Sequence, residues 1–326
     1  MIQVAINGTG RIGLCTARII GERDDIELVA MNTTADIDTL LHLLRYDSIH
    51  GNYQARKIDD ETLEIGNSKR VKILSSRDPN ELDFGSAQGV IECTGKFNAL
   101  QKASLHLKGN VKKVIISAPA SDTPTFVYGV NEKTYKGEEV ISNASCTTNC
   151  LAPIANVLHK QFGIESALMT TIHSYTNDQN LLDVKHKDLR RARAANLSMI
   201  PTSTGAAKAV ALVIPELEGR FSGYSMRVPT PDVSVVDLSV NLKSPTTKEA
   251  LNNLFREQAK KEPHIFYVDE EQRVSSDFIG APYSAIIIPD KTTLIHERFA
   301  KILAWYDNEM GYSNRLVDMS IYALTH

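Results

Sequence analysis

The chain of 326 residues lacks several things, and each absence removes a class of protein. No apolar run approaches the ~20 residues that a helix needs to cross a bilayer. The start, Met1-Ile2-Gln3-Val4-Ala5-Ile6-Asn7, has neither a basic region nor a small-residue cleavage site, so no signal peptide is expected there. Only four cysteines occur, too few in a chain this long for a disulfide framework. No Cys or His pair completes a zinc ligand set, so no metal is expected. Charge of one sign is also missing: the net charge is −3, which gives no electrostatic reason for nucleic acid or an anionic membrane as main partner. There is no internal repeat, no low-complexity run and no linker rich in Pro, Gly or Ser. What remains, 42% apolar and 23% charged residues, is ordinary for a soluble globular enzyme of a reducing cytoplasm. The length exceeds a comfortable single core, so two tightly joined domains are expected.

Two stretches carry chemistry. Ser145-Cys146-Thr147-Thr148-Asn149-Cys150 is followed by apolar residues at helical spacing: Leu151, Ile154, Leu158 and Phe162. A thiol at a helix start meets unpaired N–H groups and the positive end of the dipole, which favours its thiolate. Cys146 is therefore a candidate nucleophile, although most cysteines are small core residues. Pro153 fits such a helix only near its first turn or with a kink. The second stretch is Gly8-Thr9-Gly10-Arg11-Ile12-Gly13, between a predicted strand, Ile2 to Asn7, and a helical pattern from Ile12 to about Ile20. Strand, glycine turn and helix are the setting in which a backbone approaches a dinucleotide pyrophosphate.

A second strand, Ile26 to Met31, leads to Asn32-Thr33-Thr34. A site for NAD usually has a carboxylate there, about twenty residues past the glycines, accepting from the ribose 2′-hydroxyl. Thr33 holds that position, and Asp36 is the alternative acceptor. Asp38 to Arg45 reads as a helix, and Thr62 to Asn67 and Val71 to Leu74 as short strands. Gly89 to Gly95 and Val114 to Ser117 read as buried parallel strands. The ends of the last two, at Thr94 and Ser117, should line the cofactor crevice. Cys93 reads as a core residue. The boundary is expected near residue 148. Beyond it, strands are expected over Ala167 to His173, Gly223 to Val228, Val233 to Leu242, Ala285 to Ile288 and Ala300 to Tyr306, as an antiparallel sheet with helices on one face. Thr247 to Lys261 and Tyr312 to Leu324 read as helices. Thr176 to Ser203 is long, polar and without period, carrying His186, Lys187, Arg190, Arg191 and Arg193. It is either a solvated basic face or functional. His173 is a candidate base for Cys146, since imidazole is poised near neutrality. A lone histidine in a strand reads as readily as structural.

The segment Ser142 to Cys150 resembles the active-site segment of glyceraldehyde-3-phosphate dehydrogenases. So do Thr170 to Thr176, Asp188 to Arg193, Pro201 to Lys208, Arg227 to Pro231 and Trp305 to Glu309. The resemblance implies an α/β fold. A Rossmann-type dinucleotide-binding domain, residues 1–148, would be joined by the C-terminal helix, 312–326. An α+β catalytic domain with a mostly antiparallel sheet would span 149–311. It implies a Cys146–His173 ion pair and attack of the thiolate on an aldehyde. Hydride then goes to NAD(P), and inorganic phosphate releases the thioester as an acyl phosphate, 1,3-bisphosphoglycerate. Thr176, Arg191 and Arg227 would hold the substrate phosphate. Ser145, Thr147, Thr204 with Gly205, and Arg227 would hold the attacking one. The cofactor would meet Gly8, Gly10, Arg11, Ile12, Gly13, Arg77 near the adenine, Thr94, Ser117, Asn308 and Tyr312. The family forms homotetramers, and residues 176–203 would line a neighbour's cofactor site. Where the family usually has Phe and Arg in the glycine turn, Asp before Thr34, Trp after Glu309 and Pro before His186, this chain has Thr9, Leu14, Thr33, Met310 and Lys185. Thr33 without a carboxylate, with Lys185, favours a 2′-phosphate, hence NADP alone or beside NAD. The alternatives are an erythrose-4-phosphate dehydrogenase and a non-catalytic NAD(P)-binding redox sensor or surface-binding protein.

Overall fold

A computed structural model describes the whole chain, Met1–His326. It divides into two compact units: residues 1–145 with 313–326, and residues 146–312.

The first unit is built on an eight-stranded sheet. Its strands are β1 (Ile2–Asn7), β2 (Ile26–Asn32), β5 (Ala55–Asp59), β6 (Thr62–Ile65), β7 (Ser68–Leu74), β8 (Gly89–Glu92), β9 (Lys113–Ile116) and β10 (Val140–Ser142). Two-residue strands β3 (Tyr46–Asp47) and β4 (Gly51–Asn52) pair apart from it. The order is β10-β9-β8-β1-β2-β7-β6-β5. Strands from β10 to β7 run parallel, and β5 and β6 add an antiparallel edge. Val4, Ala5 and Ile6 are wholly buried, as a parallel strand covered on both faces requires. Helices α1 (Arg11–Gly21), α2 (Ile37–Arg45) and α3 (Leu100–Ala103) belong to this unit. The chain leaves β1 toward β2 on one side and later returns to β8 on the other. That places a switch point at the C-terminal end of β1, where open parallel sheets bind ligands.

The C-terminal residues 313–326 form most of α7 (Met310–Thr325) and pack within this unit. Tyr322 stands edge-on to Tyr128 and Tyr135, the Tyr135 hydroxyl donates to the Ala323 carbonyl at 3.2 Å, and Arg23 pairs with Asp318 at 2.8 Å.

The second unit holds a sheet of strands β11 (Ile164–Ser174), β12 (Ile200–Thr202), β13 (Phe221–Val228), β14 (Ser234–Leu242), β15 (Phe266–Val268), β16 (Ala285–Ile287), β17 (Thr293–Ile295) and β18 (Phe299–Tyr306). Its helices are α4 (Cys146–Phe162), α5 (Ala206–Val213) and α6 (Lys248–Lys261). The sheet is mostly antiparallel, as expected. The central pair β11 and β13 is parallel, and so is β15 with β16. A parallel neighbour requires a long crossover; residues 175–220 supply it. Along β11 burial alternates: Ala167, Met169, Thr171 and His173 are buried, and Leu168 between them is 67% exposed. Period two therefore aims His173 at the covered face. Pro153 lies inside α4, past its first turn, so the Asn149 carbonyl lacks its usual helical donor.

The glycine turn gives a stability test. A Cβ on Gly13 would stand 2.0 Å from the Gly8 carbonyl oxygen, whereas one on Gly10 would meet nothing within 4 Å. Gly13→Ala is expected to cost about 1–3 kcal/mol in chemical denaturation. Gly10→Ala should stay within about 0.5 kcal/mol of the parent.

Candidate active site

Cys146 is the first residue of α4 and remains half-buried. The turn before it is tight: Ala144 is buried with φ 56°, a left-handed conformation rare for a residue with a Cβ. α4 packs across β11, β14 and β18. The Cys146 Sγ lies 3.5 Å from His173 Nε2. The other ring nitrogen, Nδ1, is 2.7 Å from the Ser174 carbonyl oxygen. A carbonyl only accepts, and Arg227 Nη1, 3.0 Å from Nδ1, has that same carbonyl as its acceptor, so Nδ1 carries the proton and Nε2 turns its lone pair toward the thiol. The parallel pairing sets His173 directly opposite Arg227. Arg227 Nη1 donates to the same Ser174 carbonyl at 2.9 Å. No carboxylate is paired with Arg227, and its Nε is buried without a partner.

These surroundings keep the geometry of the expected pair and act on its charge. Burial pushes the Cys146 thiol upward, offset in part by Arg227 and by hydrogen bonding to Thr147. Burial and then the Arg227 charge push His173 down to about 3. Desolvation disfavours both charges and the guanidinium opposes an imidazolium, while the same guanidinium and the start of α4 favour a thiolate.

Of the other candidates, Thr147 is buried, with its hydroxyl 2.9 Å from that of Tyr306, which also reaches the Thr171 hydroxyl at 2.8 Å. Tyr306 was not singled out in the sequence. Its register opposite Ser234, where β18 pairs with β14, puts it there. Arg191 bonds to Thr202 Oγ1 at 3.0 Å, to the Ser203 carbonyl at 3.3 Å and to the Asp178 carboxylate. Thr204 Oγ1 accepts from Ala206 N at 3.2 Å, and Gly205 caps α5. Ser145 and Thr176 are half-buried. Asn308 is buried, its Oδ1 accepting from Ser234 Oγ at 2.7 Å.

In the first unit a cleft of about 430 Å³ opens over the glycine turn. Gly8, Gly10, Thr33, Arg77 and Thr94 line it, together with Thr9, Thr34, Lys96 and Phe97. No side chain caps α1 and its first turn holds no carboxylate, so the helix start is open to an anion. These features fit a dinucleotide. Arg11, Ile12, Gly13 and Ser117 are not in the lining. Arg11 is paired with the buried Asp47, and Gly13 lies under Gly8. Lys185, Asn308 and Tyr312 belong to the second unit. Cys93, expected in the core, borders the cleft instead, its thiol pushed up to about 12 by burial. Asp36 is not a ribose acceptor: its carboxylate caps α2, accepting from Thr39 N and Thr39 Oγ1, both at 2.8 Å. No acidic residue lines the cleft.

The upward push on the Cys146 thiol predicts a pH profile. The rate of iodoacetamide alkylation of Cys146 should climb through the alkaline range, with its midpoint above the ~8.5 of an ordinary thiol. A plateau already reached at neutral pH would show a resting thiolate instead.

Comparison with known proteins agrees with this arrangement. Residues 2–100 match the family model described as "Glyceraldehyde 3-phosphate dehydrogenase, NAD binding domain". Residues 145–308 match "Glyceraldehyde 3-phosphate dehydrogenase, C-terminal domain". The "Glyceraldehyde-3-phosphate dehydrogenase 1" of Bacillus cereus is 50% identical over 99% of this chain and 98% of its own. The enzyme of that family from Geobacillus stearothermophilus is also 50% identical, over 98% of each chain. A protein of Craterostigma plantagineum named "Glyceraldehyde-3-phosphate dehydrogenase, cytosolic" is 47% identical over 98% of this chain and 97% of its own. With both halves matched and relatives alike from end to end, the chain belongs to the glyceraldehyde-3-phosphate dehydrogenase family.

Proposed function

We propose that this protein is a phosphorylating glyceraldehyde-3-phosphate dehydrogenase with Cys146 as nucleophile and His173 as its base. The observation that carries this reading is the 3.5 Å contact of Sγ with Nε2, on an imidazole whose other nitrogen is tied to a carbonyl. His173 Nε2 takes the thiol proton as Sγ adds to the aldehyde carbon. That proton passes to the former carbonyl oxygen, giving a thiohemiacetal on Cys146. When bound, the dinucleotide supplies the acceptor for the hydride that leaves this carbon. His173 removes the hydroxyl proton as the thioester forms. A phosphate oxygen then attacks the thioester carbonyl, the C–S bond breaks, and His173 returns the proton to Sγ. Arg227 has no carboxylate of its own, which suits it to an anion. Arg191, Ser145, Thr147, Thr176, Thr204 and Gly205 are proposed to complete the two phosphate pockets.

The cleft supports NADP as a cofactor, alone or beside NAD. Thr33 Oγ1 and Thr9 Oγ1 are 2.7 Å apart, and Arg77 and Lys96 are the charged residues of the lining. Nothing there repels a 2′-phosphate. Lys185 is proposed to add to this preference. We hold the assembly to be a homotetramer. The exposed Leu181, Leu182, Leu189, Leu197 and Met199 of the crossover support burial against other copies. No helix is long and apolar enough to cross a membrane, and the absence of a disulfide among the four cysteines suits a reducing cytoplasm.

Initial rates with glyceraldehyde 3-phosphate, phosphate and each dinucleotide test the activity. His173→Asn should lower kcat by about 10²–10⁴-fold, and Cys146→Ser should leave no phosphate-dependent turnover. Full activity in Cys146→Ser would end the reading. Thr33→Asp combined with Lys185→Pro should move the kcat/KM ratio toward NAD by about 10-fold, the worth of one charge-assisted hydrogen bond. An unchanged ratio would remove the NADP assignment alone.

A further inference from the structure

The floor of the dinucleotide cleft rests on buried polar side chains that no step above uses. Glu92 ends β8 with its side chain fully buried. Four donors converge on its carboxylate. Oε2 accepts from Asn7 Nδ2 at 2.6 Å and lies 3.1 Å from His106 Nε2. Oε1 accepts from Thr94 N at 2.7 Å and from the Thr94 hydroxyl. No lysine or arginine is paired with it. A buried carboxylate without a cation needs its lone pairs filled by donors, and here they are filled.

His106 is as buried as its partner. Its ring stands tilted against Phe84 and edge-on to Phe97, with centroids at 5.9 and 5.5 Å. Its Nδ1 is buried without a hydrogen-bond partner. The ring therefore gives an Nε2–H to Glu92 and leaves Nδ1 bare.

From this carboxylate the sense of every hydrogen bond is fixed outward. Asn7 turns its amide nitrogen to Glu92, so its Oδ1 accepts from Asn32 Nδ2 at 2.7 Å. The Asn32 Oδ1 then accepts from Ser76 N at 3.0 Å, and its Nδ2 also reaches the Ser76 carbonyl at 2.9 Å. The row thus runs beneath the ends of β8, β1, β2 and β7, with an obligate acceptor at one end and a backbone N–H at the other. Asn7, Asn32, Ser76 and Thr94 all line the cleft. The Thr94 turn is also the surface on which Gly8 lies: a Cβ on Gly8 would come within 2.8 Å of Thr94 N and Thr94 Cγ2.

We propose that Glu92 and His106 are positioning residues for the dinucleotide. Glu92 is a buried acceptor, held by the imidazole, that sets the Thr94 turn and the Asn7 amide and through them the seat of Gly8. The proposal rests on reading the cleft as the dinucleotide site. An amide cannot replace the carboxylate, because its NH2 would face two donors on whichever side it turned.

Calorimetric titration of the dinucleotide onto the full chain tests this without turnover. Glu92→Gln is expected to weaken Kd by about 10-fold or more, the effect of leaving buried donors unmatched. His106→Phe keeps an aromatic ring and deletes the donor, and should weaken Kd in the same direction. His106→Gln keeps an amide donor and should recover most of the loss. In turnover, KM for the dinucleotide should rise with Kd, while kcat at saturation and the alkylation rate of Cys146 stay at the parent level. Parent affinity in folded Glu92→Gln or His106→Phe would overturn the proposal. So would a parallel fall of kcat and alkylation, which marks general loss of structure. If Glu92→Gln does not fold, His106→Phe against His106→Gln decides. A parent protein that binds no dinucleotide would sink the reading of the cleft, and the proposal with it.

Discussion

The hydrogen bond between His173 Nδ1 and the Ser174 carbonyl is the contact on which the second unit's chemistry turns. It fixes which ring nitrogen holds a proton, and so which nitrogen faces Cys146. The sheet supplies this contact together with its modulator. Because β11 and β13 run parallel in register, Arg227 stands opposite His173 and shares the same carbonyl. An antiparallel pairing at this point would not require the long crossover, and the crossover is what carries Arg191. Topology, tautomer and the placing of two arginines are thus one arrangement.

The first unit works by a different constraint. Its cleft is made by backbone closeness at Gly8 and Gly13 and by an uncapped helix start. Its proposed preference rests on what is missing. Of the two carboxylates just past β2, that of Asp36 is committed to the start of α2 and that of Asp38 to Lys57. Thr33 therefore presents a hydroxyl and no charge to the cleft. Glu92 lies below the surface with its lone pairs filled, so the cleft lining itself stays free of acid.

Much of this was legible in the chain because local rules set it. The glycine turn, the burial alternation of β11 and the helix after Cys146 each follow from residues a few places apart. The segments around Cys146 and His173 resembled a known family closely enough to name their partners. What escaped depended on pairing between distant strands. Nothing in the residues of β11 and β13 says that they run parallel. Tyr306 is a bulky strand residue until register places its hydroxyl between Thr147 and Thr171. The charge of the Cys146 and His173 pair is not legible for a related reason: the burial and the nearby guanidinium that act on it are tertiary facts. Cys93 borders a cleft, not the core, because its strand ends one residue before it.

The Arg191 contact with Asp178 has a bearing on which anions this loop can accept. The guanidinium is already occupied by a monoanion of the same chain. A newcomer is bound there only by the difference between two attractions. A phosphate monoester, with two negative charges and three terminal oxygens, gains from that exchange. A carboxylate of equal charge to the one displaced gains almost nothing. If Arg191 holds the substrate phosphate as proposed, this internal partner would act as a threshold, admitting ligands by valence before shape is read.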